Sequence, residues 1–336
     1  MRLSWLGIII VGILLDSCKQ SEPSIDYTQY VNPFIGTDGT GHTFPGPCMP
    51  FGMVQPGPDN RENGWDYTSG YQYRDSIIMG FSQTRINGAG ISEFGDILLQ
   101  PLTGGDNEQF GLGYDKTSEQ ASPGYYTVTL NNNVKAELTC TERVAFHQYN
   151  YPNPNAKLVV DLQHGLRFLT DSLVLESEVK IEDNSTISGY CHTKNWVERK
   201  YYFVIRFNTP FTSKIELPKL PKEAAPRYVL DFDLPQKLLQ TKIALSTVSV
   251  DGAKNNLDSE LPGWDFTATV QHARETWNSY LNRIEIEAPE KQMRIFYSAM
   301  FRLFIQPSNI ADSDGMYRGA DDSVRRAKGG VYYSTL

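Results

Sequence analysis

The stretch from Tyr30 to Pro101 reads YVNPFIGTDGTGHTFPGPCMPFGMVQPGPDNRENGWDYTSGYQYRDSIIMGFSQTRINGAGISEFGDILLQP. The rest of the chain is organised around it. Six of the chain's 19 prolines lie between Pro33 and Pro58, and glycines recur throughout, which excludes long helices and central strands here. Eight aromatic residues are nevertheless spread between Phe34 and Phe81. Because aromatic rings bury large areas, the stretch predicts ordered, packed loops of the kind that form ligand rims.

Downstream of these loops the pattern becomes strand-like. Apolar residues alternate with polar ones over Tyr125–Cys140, around a turn of three asparagines, which predicts a hairpin. Further candidate strands follow at near-regular spacing, over 157–162, 173–181, 186–192, 199–207, 228–232 and 242–250. Many short strands separated by turn clusters predict a β-sandwich.

Two helices are predicted after the strands. Apolar residues recur at helical spacing over Thr267–Ile284 and again over Glu290–Gln306, with Pro289 and Pro307 as breakers. The second helix carries a continuous apolar stripe that needs partners, and the 30 residues after it offer none by their pattern. The chain is therefore expected to be a truncated product or one part of a longer protein.

Several motifs resemble glycoside hydrolase family 92. They are VNPFIGT (31–37), GHTFPG (41–46), PFGMVQPGPD (50–59), SGYQYRDSIIMGFSQT (69–84), GISEFGDILLQP (90–101) and FYSAMFRLFIQPSNIADSDGMYRGAD (296–321). The family consists of calcium-dependent exo-acting α-mannosidases that invert the anomeric centre. One departure is Gln83-Thr84-Arg85, where the family often has His-Thr-His.

The resemblance implies a mainly β architecture with a helical end. A β-sandwich N-terminal domain is expected over 25–262, a helical linker over 263–288, and the start of an α/α toroid over 289–336. The catalytic acid and base of the family are expected beyond Leu336, so no catalytic pair is assigned within the chain. Calcium is implied as a cofactor, with its ligands outside the chain, and mannose-containing glycans are implied as partners.

The N-terminus predicts export. Arg2 precedes the apolar run Leu6–Leu15, which is shorter than the roughly 20 residues of a membrane span and fits a signal peptide. The run ends in a lipobox-like segment at Cys18, so residues 1–24 are read either as a lipoprotein signal with its tether or as an ordinary signal peptide. We expect lipidation at Cys18 and a place in the cell envelope, outer-membrane-anchored or periplasmic, with the lipid as the membrane contact.

Composition narrows the class further. The net charge of -8 without a basic block makes nucleic acid an unsuitable partner. Cys48, Cys140 and Cys191 are widely spaced, which predicts no zinc site and at most one disulfide, with buried free thiols as the other reading.

Candidate sugar contacts lie in the first loops. His42 sits in a tight Gly-His-Thr loop, where it either bonds a sugar hydroxyl or the backbone. Trp65 follows a turn signal and either stacks on a pyranose ring, with Asp66 accepting from its hydroxyls, or packs between domains. In the family the resemblance points to, the sandwich contributes aromatic residues to the sugar site, which favours the first role for Trp65.

Later candidates come from two regions. Glu93 and Asp96 form either an acidic turn near a site or carboxylates that satisfy loop amides, and Trp196 is either a stacking platform or core. Asp312, Asp314 and Gly315 resemble a fragment of a calcium loop but lack its later ligands, so a plain turn is favoured. Asp321, in the family-like segment YRGAD, either binds hydroxyls of the terminal mannose or pairs with Arg318 or Arg325.

These observations favour an exo-α-mannosidase that releases terminal α-linked mannose, α-1,2 by expectation, with the chain inactive alone. The rival is a non-catalytic surface lipoprotein that binds glycans, and a structural adhesin is a third possibility. A self-contained binding module would not leave the apolar helix Glu290–Gln306 half covered, which separates the first reading from the others.

Overall fold

The computed structural model describes residues 25–62, 64–106, 111–167, 173–219 and 223–334. The predicted signal segment and Cys18 lie outside the described residues. The strands, in chain order, are β1 (Gly57–Asp59), β2 (Ile77–Ile78), β3 (Gly80–Ser82), β4 (Leu98–Thr103), β5 (Leu112–Gly113), β6 (Gln120–Ser122), β7 (Tyr125–Thr129), β8 (Lys135–Cys140), β9 (Val144–Asn150), β10 (Asn155–Asp161), β11 (Val174–Asp183), β12 (Thr186–Lys194), β13 (Glu198–Phe207), β14 (Ser213–Glu216), β15 (Arg227–Asp233), β16 (Leu238–Ser246), β17 (Ser308–Asn309), β18 (Met316–Arg318), β19 (Val324–Arg326) and β20 (Tyr333–Ser334).

Two antiparallel sheets form the larger part of the fold. One has the order β1-β3-β4-β10-β15-β14, and the other has the order β11-β12-β13-β16-β9-β8-β7-β6. Their facing sides enclose the main hydrophobic core, which includes Phe81, Tyr126, Leu158, Phe203 and Ile243. The mainly β architecture with an N-terminal sandwich is confirmed, and along most strands alternate side chains point into this core.

Strand β9 is buried on both faces. Ala145 and Tyr149 belong to the core between the sheets, whereas Val144 and Phe146 point the other way. On that outer side they meet the helical segment that follows β16. A strand sandwiched in this way loses the plain apolar–polar alternation of a surface strand.

The helices are α1 (Val250–Glu260), α2 (Phe266–Leu281) and α3 (Glu290–Leu303), with 3-10 turns at Tyr27–Tyr30, Trp65–Tyr67, Lys116–Ser118 and Lys328–Gly330. The predicted strand 242–250 is wrong beyond Ser246, because the chain turns there and α1 begins. Ser249 caps α1 by accepting from the Gly252 amide. The sequence VDGAKNNLDSE shows few apolar residues, so a periodicity search finds no helix there.

Helices α2 and α3 form a second core with the N-terminal loops. Trp277, Tyr297 and Phe301 pack against Tyr27 and Phe44. The two helices match the predicted segments within a few residues. The outer side of α3 is uncovered among the described residues, with Ile295 57% and Leu303 74% exposed.

A polar junction ties the sandwich to the C-terminal segment. Arg143, beside β9, donates from Nη1 to Glu260 at 2.6 Å and from Nε to the Ala311 carbonyl at 2.6 Å. Asp312 is buried next to it and accepts from Ser246 Oγ at 2.6 Å and from Asn256 Nδ2 at 2.9 Å. The strands, α1 and the residues after α3 are thereby held as one body.

Cys48, Cys140 and Cys191 are buried free thiols. Burial raises the pKa of the Cys48 and Cys191 thiols to about 12, so both stay protonated and unreactive at neutral pH. Among the described residues, no helix combines the length and apolarity needed to cross a membrane.

Candidate functional site

Arg85 holds the Gly- and Pro-rich loops together. Its guanidinium is fully buried and lies 3.1 Å from Asp59 Oδ1. It also donates to backbone carbonyls of several loop residues and to one hydroxyl, at Gln55, Gly57, Pro58, Ser69 and Ser82. Arginine suits this position because its five N–H groups radiate in one plane and can satisfy several carbonyls together.

A buried histidine extends this network toward Trp65. His164 Nε2 lies 2.9 Å from Asp59 Oδ2, and His164 Nδ1 lies 3.3 Å from Glu62 Oε1. Burial alone would lower the pKa of His164, but its hydrogen bonds to the two carboxylates raise it to about 10. Glu62 also pairs with Arg167. Asp59 and Glu62 are therefore held by charged groups, and of these His164 and Asp59 are fully buried.

His42 and Trp65 are in contact. Their ring centroids lie 5.0 Å apart at an interplanar angle of 80°. His42 adopts the left-handed backbone region, with φ 52°, and its carbonyl accepts from the Gly88 amide at 2.6 Å. Within the described part of the chain, its buried Nε2 has no hydrogen-bond partner.

Trp65 is half exposed, and its neighbour Asp66 is exposed. The indole lies directly on Gly90, where an added Cβ would stand 2.4 Å from the ring. Because Gly90 has no side chain, the indole ring can pack directly against its backbone. Trp65 is anchored on one face of its loop and open on another, which is the arrangement that a stacking residue requires.

Asp321 lies in a separate hairpin, β18–β19. It forms a two-point ion pair with Arg325, with Arg325 Nη1 2.7 Å from Oδ1. The hydrogen bond from Arg325 holds the pKa of Asp321 well below its usual range. Both side chains are exposed, so the carboxylate is ionised and accessible.

A cavity of about 520 Å³ is lined by residues of both this hairpin and the sandwich. The end of hairpin β12–β13, the loop 84–96 and the segment 306–334 line it, and the residues beside Asp321, namely Gly319, Ala320 and Asp322, belong to its wall. This is within the usual range of ligand pockets, about 300–1,000 Å³.

The other candidates divide between structural and exposed positions. Glu93 Oε2 accepts from the Trp196 amide at 3.0 Å, and Asp96 accepts from Thr84 Oγ1 at 2.6 Å and from Arg199 Nη2 at 2.8 Å. Trp196 is 68% exposed at the tip of hairpin β12–β13, so it is not core. These carboxylates hold the loop against that hairpin.

Two family models match the chain. The model described as glycosyl hydrolase family 92 N-terminal domain matches residues 30–246, and the one described as glycosyl hydrolase family 92 catalytic domain matches 252–336. The chain belongs to glycosyl hydrolase family 92. The resemblance to family 92 that the sequence motifs indicated is therefore confirmed.

Solved family 92 structures have the same fold. A family 92 alpha-mannosidase from Bacteroides thetaiotaomicron is 32% identical with a TM-score of 0.84, over 92% of this chain and 45% of that one. The same mannosidase has been solved in complex with mannoimidazole. An inverting mannosidase of this family from the same organism is 26% identical with a TM-score of 0.81, over 94% and 45%.

A curated relative from Arthroderma benhamiae is described as an uncharacterized secreted glycosidase. It is 25% identical over 95% of this chain and 47% of its own length. This family 92 chain thus spans about half the length of the relatives that it matches.

Membership of family 92 implies calcium as a cofactor. No group of three or more His, Cys, Asp or Glu side chains lies close enough there to hold a metal ion. Asp312 is taken up by Ser246 and Asn256, and the Asp314 carboxylate accepts from the Met316 amide. These side chains do not fit a calcium centre.

Sequence reasoning missed Arg85 and His164. Both are buried charges inside an apolar–polar pattern that gives no sign of ion pairs. The usable signal was the arginine at the end of Gln83-Thr84-Arg85, where a charged residue interrupts a family-like segment.

Proposed function

We propose that this chain is the N-terminal part of an exo-α-mannosidase that releases terminal α-linked mannose, with α-1,2 as the expected linkage, and inverts the anomeric centre. The contact between His42 and the half-exposed Trp65 carries the proposal. Membership of family 92 and the likeness to a mannosidase that binds mannoimidazole support it.

Each site residue would have a separate part. Trp65 would stack on the apolar face of the mannose ring, and Asp66 would accept hydrogen bonds from its hydroxyls. His42 would use the Nε2 that lacks a partner within the described residues, once the indole has moved. Asp321 would bind further hydroxyls, because its carboxylate stays ionised and acceptor-only.

Hydrolysis with inversion needs more than these contacts. A carboxylic acid must protonate the leaving oxygen, and a carboxylate base roughly 6.5–9.5 Å away must activate water. We propose that this acid and base, and the calcium ligands, are not among these 336 residues. The chain would then bind mannose without turning a substrate over.

The expected setting is the cell envelope. We propose a lipid anchor at Cys18, and the description of the fungal relative as secreted agrees with export. Mannose-containing glycans are the proposed partners, and the net charge of -8 disfavours nucleic acid.

The test is calorimetry of mannose binding to the purified chain, paired with an assay of mannose release from an α-mannoside in added calcium. Replacing the indole by Trp65→Ala is expected to weaken mannose binding about 10-fold or more, which corresponds to ~1.4 kcal/mol. Trp196→Ala removes an equally large exposed indole elsewhere and is expected to leave mannose affinity unchanged.

Two results would contradict the proposal. Equal affinities of the wild type and the Trp65→Ala variant would remove Trp65 from the site. Measurable inverting turnover by the chain alone would show that the acid and base lie within it.

A further inference from the structure

Arg302 lies in the last turn of α3, where a cation interacts favourably with the helix dipole. Its neighbour Phe301 packs in the second core, and its neighbour Leu303 lies on the exposed outer side of the helix. The guanidinium takes a third direction and donates to oxygen atoms of the N-terminal loops. Helix α3 therefore places a planar group with several donors among loops that lie far from it in the sequence.

This guanidinium holds both ends of the loop that carries His42. Arg302 Nη2 donates to the carbonyls of Pro33 and Ile35, the latter at 3.3 Å, and Nη1 donates to the Phe44 carbonyl at 2.9 Å. His42 lies between these ends in the left-handed backbone region. Because both ends of the loop bind one planar group, the geometry of that group sets their separation.

The same guanidinium also reaches the loop against which Trp65 packs. Arg302 Nη1 donates to Asn87 Oδ1 at 3.3 Å. The backbone amide of the next residue donates to the His42 carbonyl at 2.6 Å. Two residues further on, Gly90 forms the backbone surface beneath the indole. One side chain therefore connects the loop of His42 with the loop that supports Trp65.

Arg302 differs from Arg85, which has the carboxylate of Asp59 beside it. Among the described residues, the acceptors of Arg302 are three carbonyls and one side-chain amide oxygen, and no carboxylate pairs with it. Burial lowers the pKa of Arg302 to about 10, so the group still carries its charge at neutral pH. What Arg302 supplies to the loops is therefore the planar arrangement of its donors, which the single nitrogen of a lysine lacks.

We propose that Arg302 is a positioning residue of the mannose site, which sets His42 and Trp65 relative to each other by holding both of their loops. The inference rests on the proposed function, because it takes these two side chains as sugar contacts. Arg302 acts through the loops, since its donors are occupied by their oxygen atoms. It belongs to the segment matched by the catalytic-domain model, whereas both loops belong to the segment matched by the other model.

Calorimetry of mannose binding to the Arg302→Met chain tests this inference. Methionine keeps a long unbranched stem but removes the donors, so the loops are no longer preorganised and the affinity for mannose should fall about 10-fold. A merely structural role would lower the fraction of folded chains, and hence the number of binding sites per chain, without changing the affinity of the folded ones. An unchanged dissociation constant would overturn the inference.

Trp277→Phe is the matched control for a lost hydrogen bond between the helices and the loops. Trp277 Nε1 donates to the Cys48 carbonyl at 2.6 Å, and this contact involves neither the loop of His42 nor that of Gly90. The variant is expected to be less stable than the wild type but to bind mannose with the same affinity. An equal loss of mannose affinity in Trp277→Phe and Arg302→Met would assign the effect to general destabilisation and overturn the inference.

Fluorine NMR of the chain labelled with fluorotryptophan follows the indole of Trp65 directly. The Trp65→Phe and Trp264→Phe variants assign the two resonances. Arg302→Met should shift or broaden the Trp65 resonance and leave that of Trp264 unchanged, because Trp264 packs over Lys242 on the outer side of the sheet. A Trp65 resonance that stays in place would show that the indole does not depend on Arg302.

Arg302→Lys separates the charge from the planar geometry. Lysine keeps the positive charge, but its donors radiate from one nitrogen and cannot bridge two loops in the same way. This variant is expected to bind mannose at least about 5-fold more weakly than the wild type. Wild-type affinity in Arg302→Lys would show that the charge is sufficient and would overturn the bridging role.

The two proposals fail in different ways. The proposed mannose site fails when Trp65→Ala leaves mannose affinity unchanged. The positioning role of Arg302 fails when Trp65→Ala weakens mannose binding but Arg302→Met does not. Absence of mannose binding by the wild type overturns both proposals, because there would be no mannose site for Arg302 to position.

Discussion

The loops of Tyr30–Pro101 and the segment after Glu290 both carry candidate sugar contacts, but they hold them differently. In the loops, the buried Arg85 and His164 both form ion pairs with the buried Asp59, out of reach of water. In the C-terminal segment, Asp321 pairs with Arg325 at the surface. Buried charges cost several kcal/mol when one partner is removed, whereas exposed pairs contribute little. Removing a charged partner is therefore expected to cost far more stability in the loops than in the C-terminal segment.

The largest expected effect on stability comes from removing a charge of the buried network around Asp59. Arg85→Met should lower the free energy of unfolding by about 3–5 kcal/mol, because it removes the buried cation beside Asp59 Oδ1 and leaves several buried carbonyls without donors. Guanidinium denaturation followed by circular dichroism measures it. Arg325→Met makes the same replacement at an exposed position, and its midpoint should stay close to that of the wild type. Equal losses in the free energy of unfolding of the two variants would mean that the buried and the exposed ion pairs contribute equally to stability.

A smaller effect is expected from pH. The folded-state pKa of His164 is about 10, above its unfolded value of roughly 6.5, so the folded state holds this proton more tightly. Its contribution to stability is complete below about pH 6.5 and is lost as pH rises through about 10. Unfolding of the wild type and of His164→Gln should be compared across this range.

The difference in free energy of unfolding between these two proteins should shrink as pH rises. Taking the difference removes the opposing effect of Lys242, whose pKa burial lowers to about 8. A difference that is constant from pH 6 to 10.5 would show that His164 is neutral in the fold.

The smallest effect is expected on the outer side of α3. Leu303→Ser should change the free energy of unfolding by less than about 0.5 kcal/mol, because Leu303 is 74% exposed. Phe301→Ser, on the buried side of the same helix, should cost about 3–5 kcal/mol. Thermal unfolding of both variants measures this contrast, and a large loss for Leu303→Ser would indicate that this surface is covered by another part of the protein.

Much of the fold follows from local patterns. The hairpin at Tyr125–Cys140 and helices α2 and α3 could be predicted because alternation and helical periodicity are visible within one window of sequence. Helix α1 could not, since its apolar residues Ala253 and Leu257 are few and its burial comes from a sheet formed elsewhere. Its N-cap serine was the available signal.

The candidate site was less predictable than the fold. A family-like motif contains His42 and a turn signal pointed to Trp65, and the structure brings the two rings into contact. Arg85 and His164 both pair with Asp59, from which they lie 26 and 105 residues away in the sequence. No local sequence pattern predicts such pairing. Asp321 shows the converse, because its partner Arg325 is four residues away and could be named in advance.

The two-sided burial of β9 bears on how the protein can be divided. Val144 and Phe146 face α1, which lies in the segment matched by the catalytic-domain model, whereas the strand itself lies in the segment matched by the other. Separating the chain between Ser246 and Gly252 would expose the apolar outer face of the sheet. It would also break the hydrogen bonds that Arg143 and Asp312 make between the two segments. The two segments matched by the family models therefore share one buried contact, and neither is expected to keep its full burial without the other.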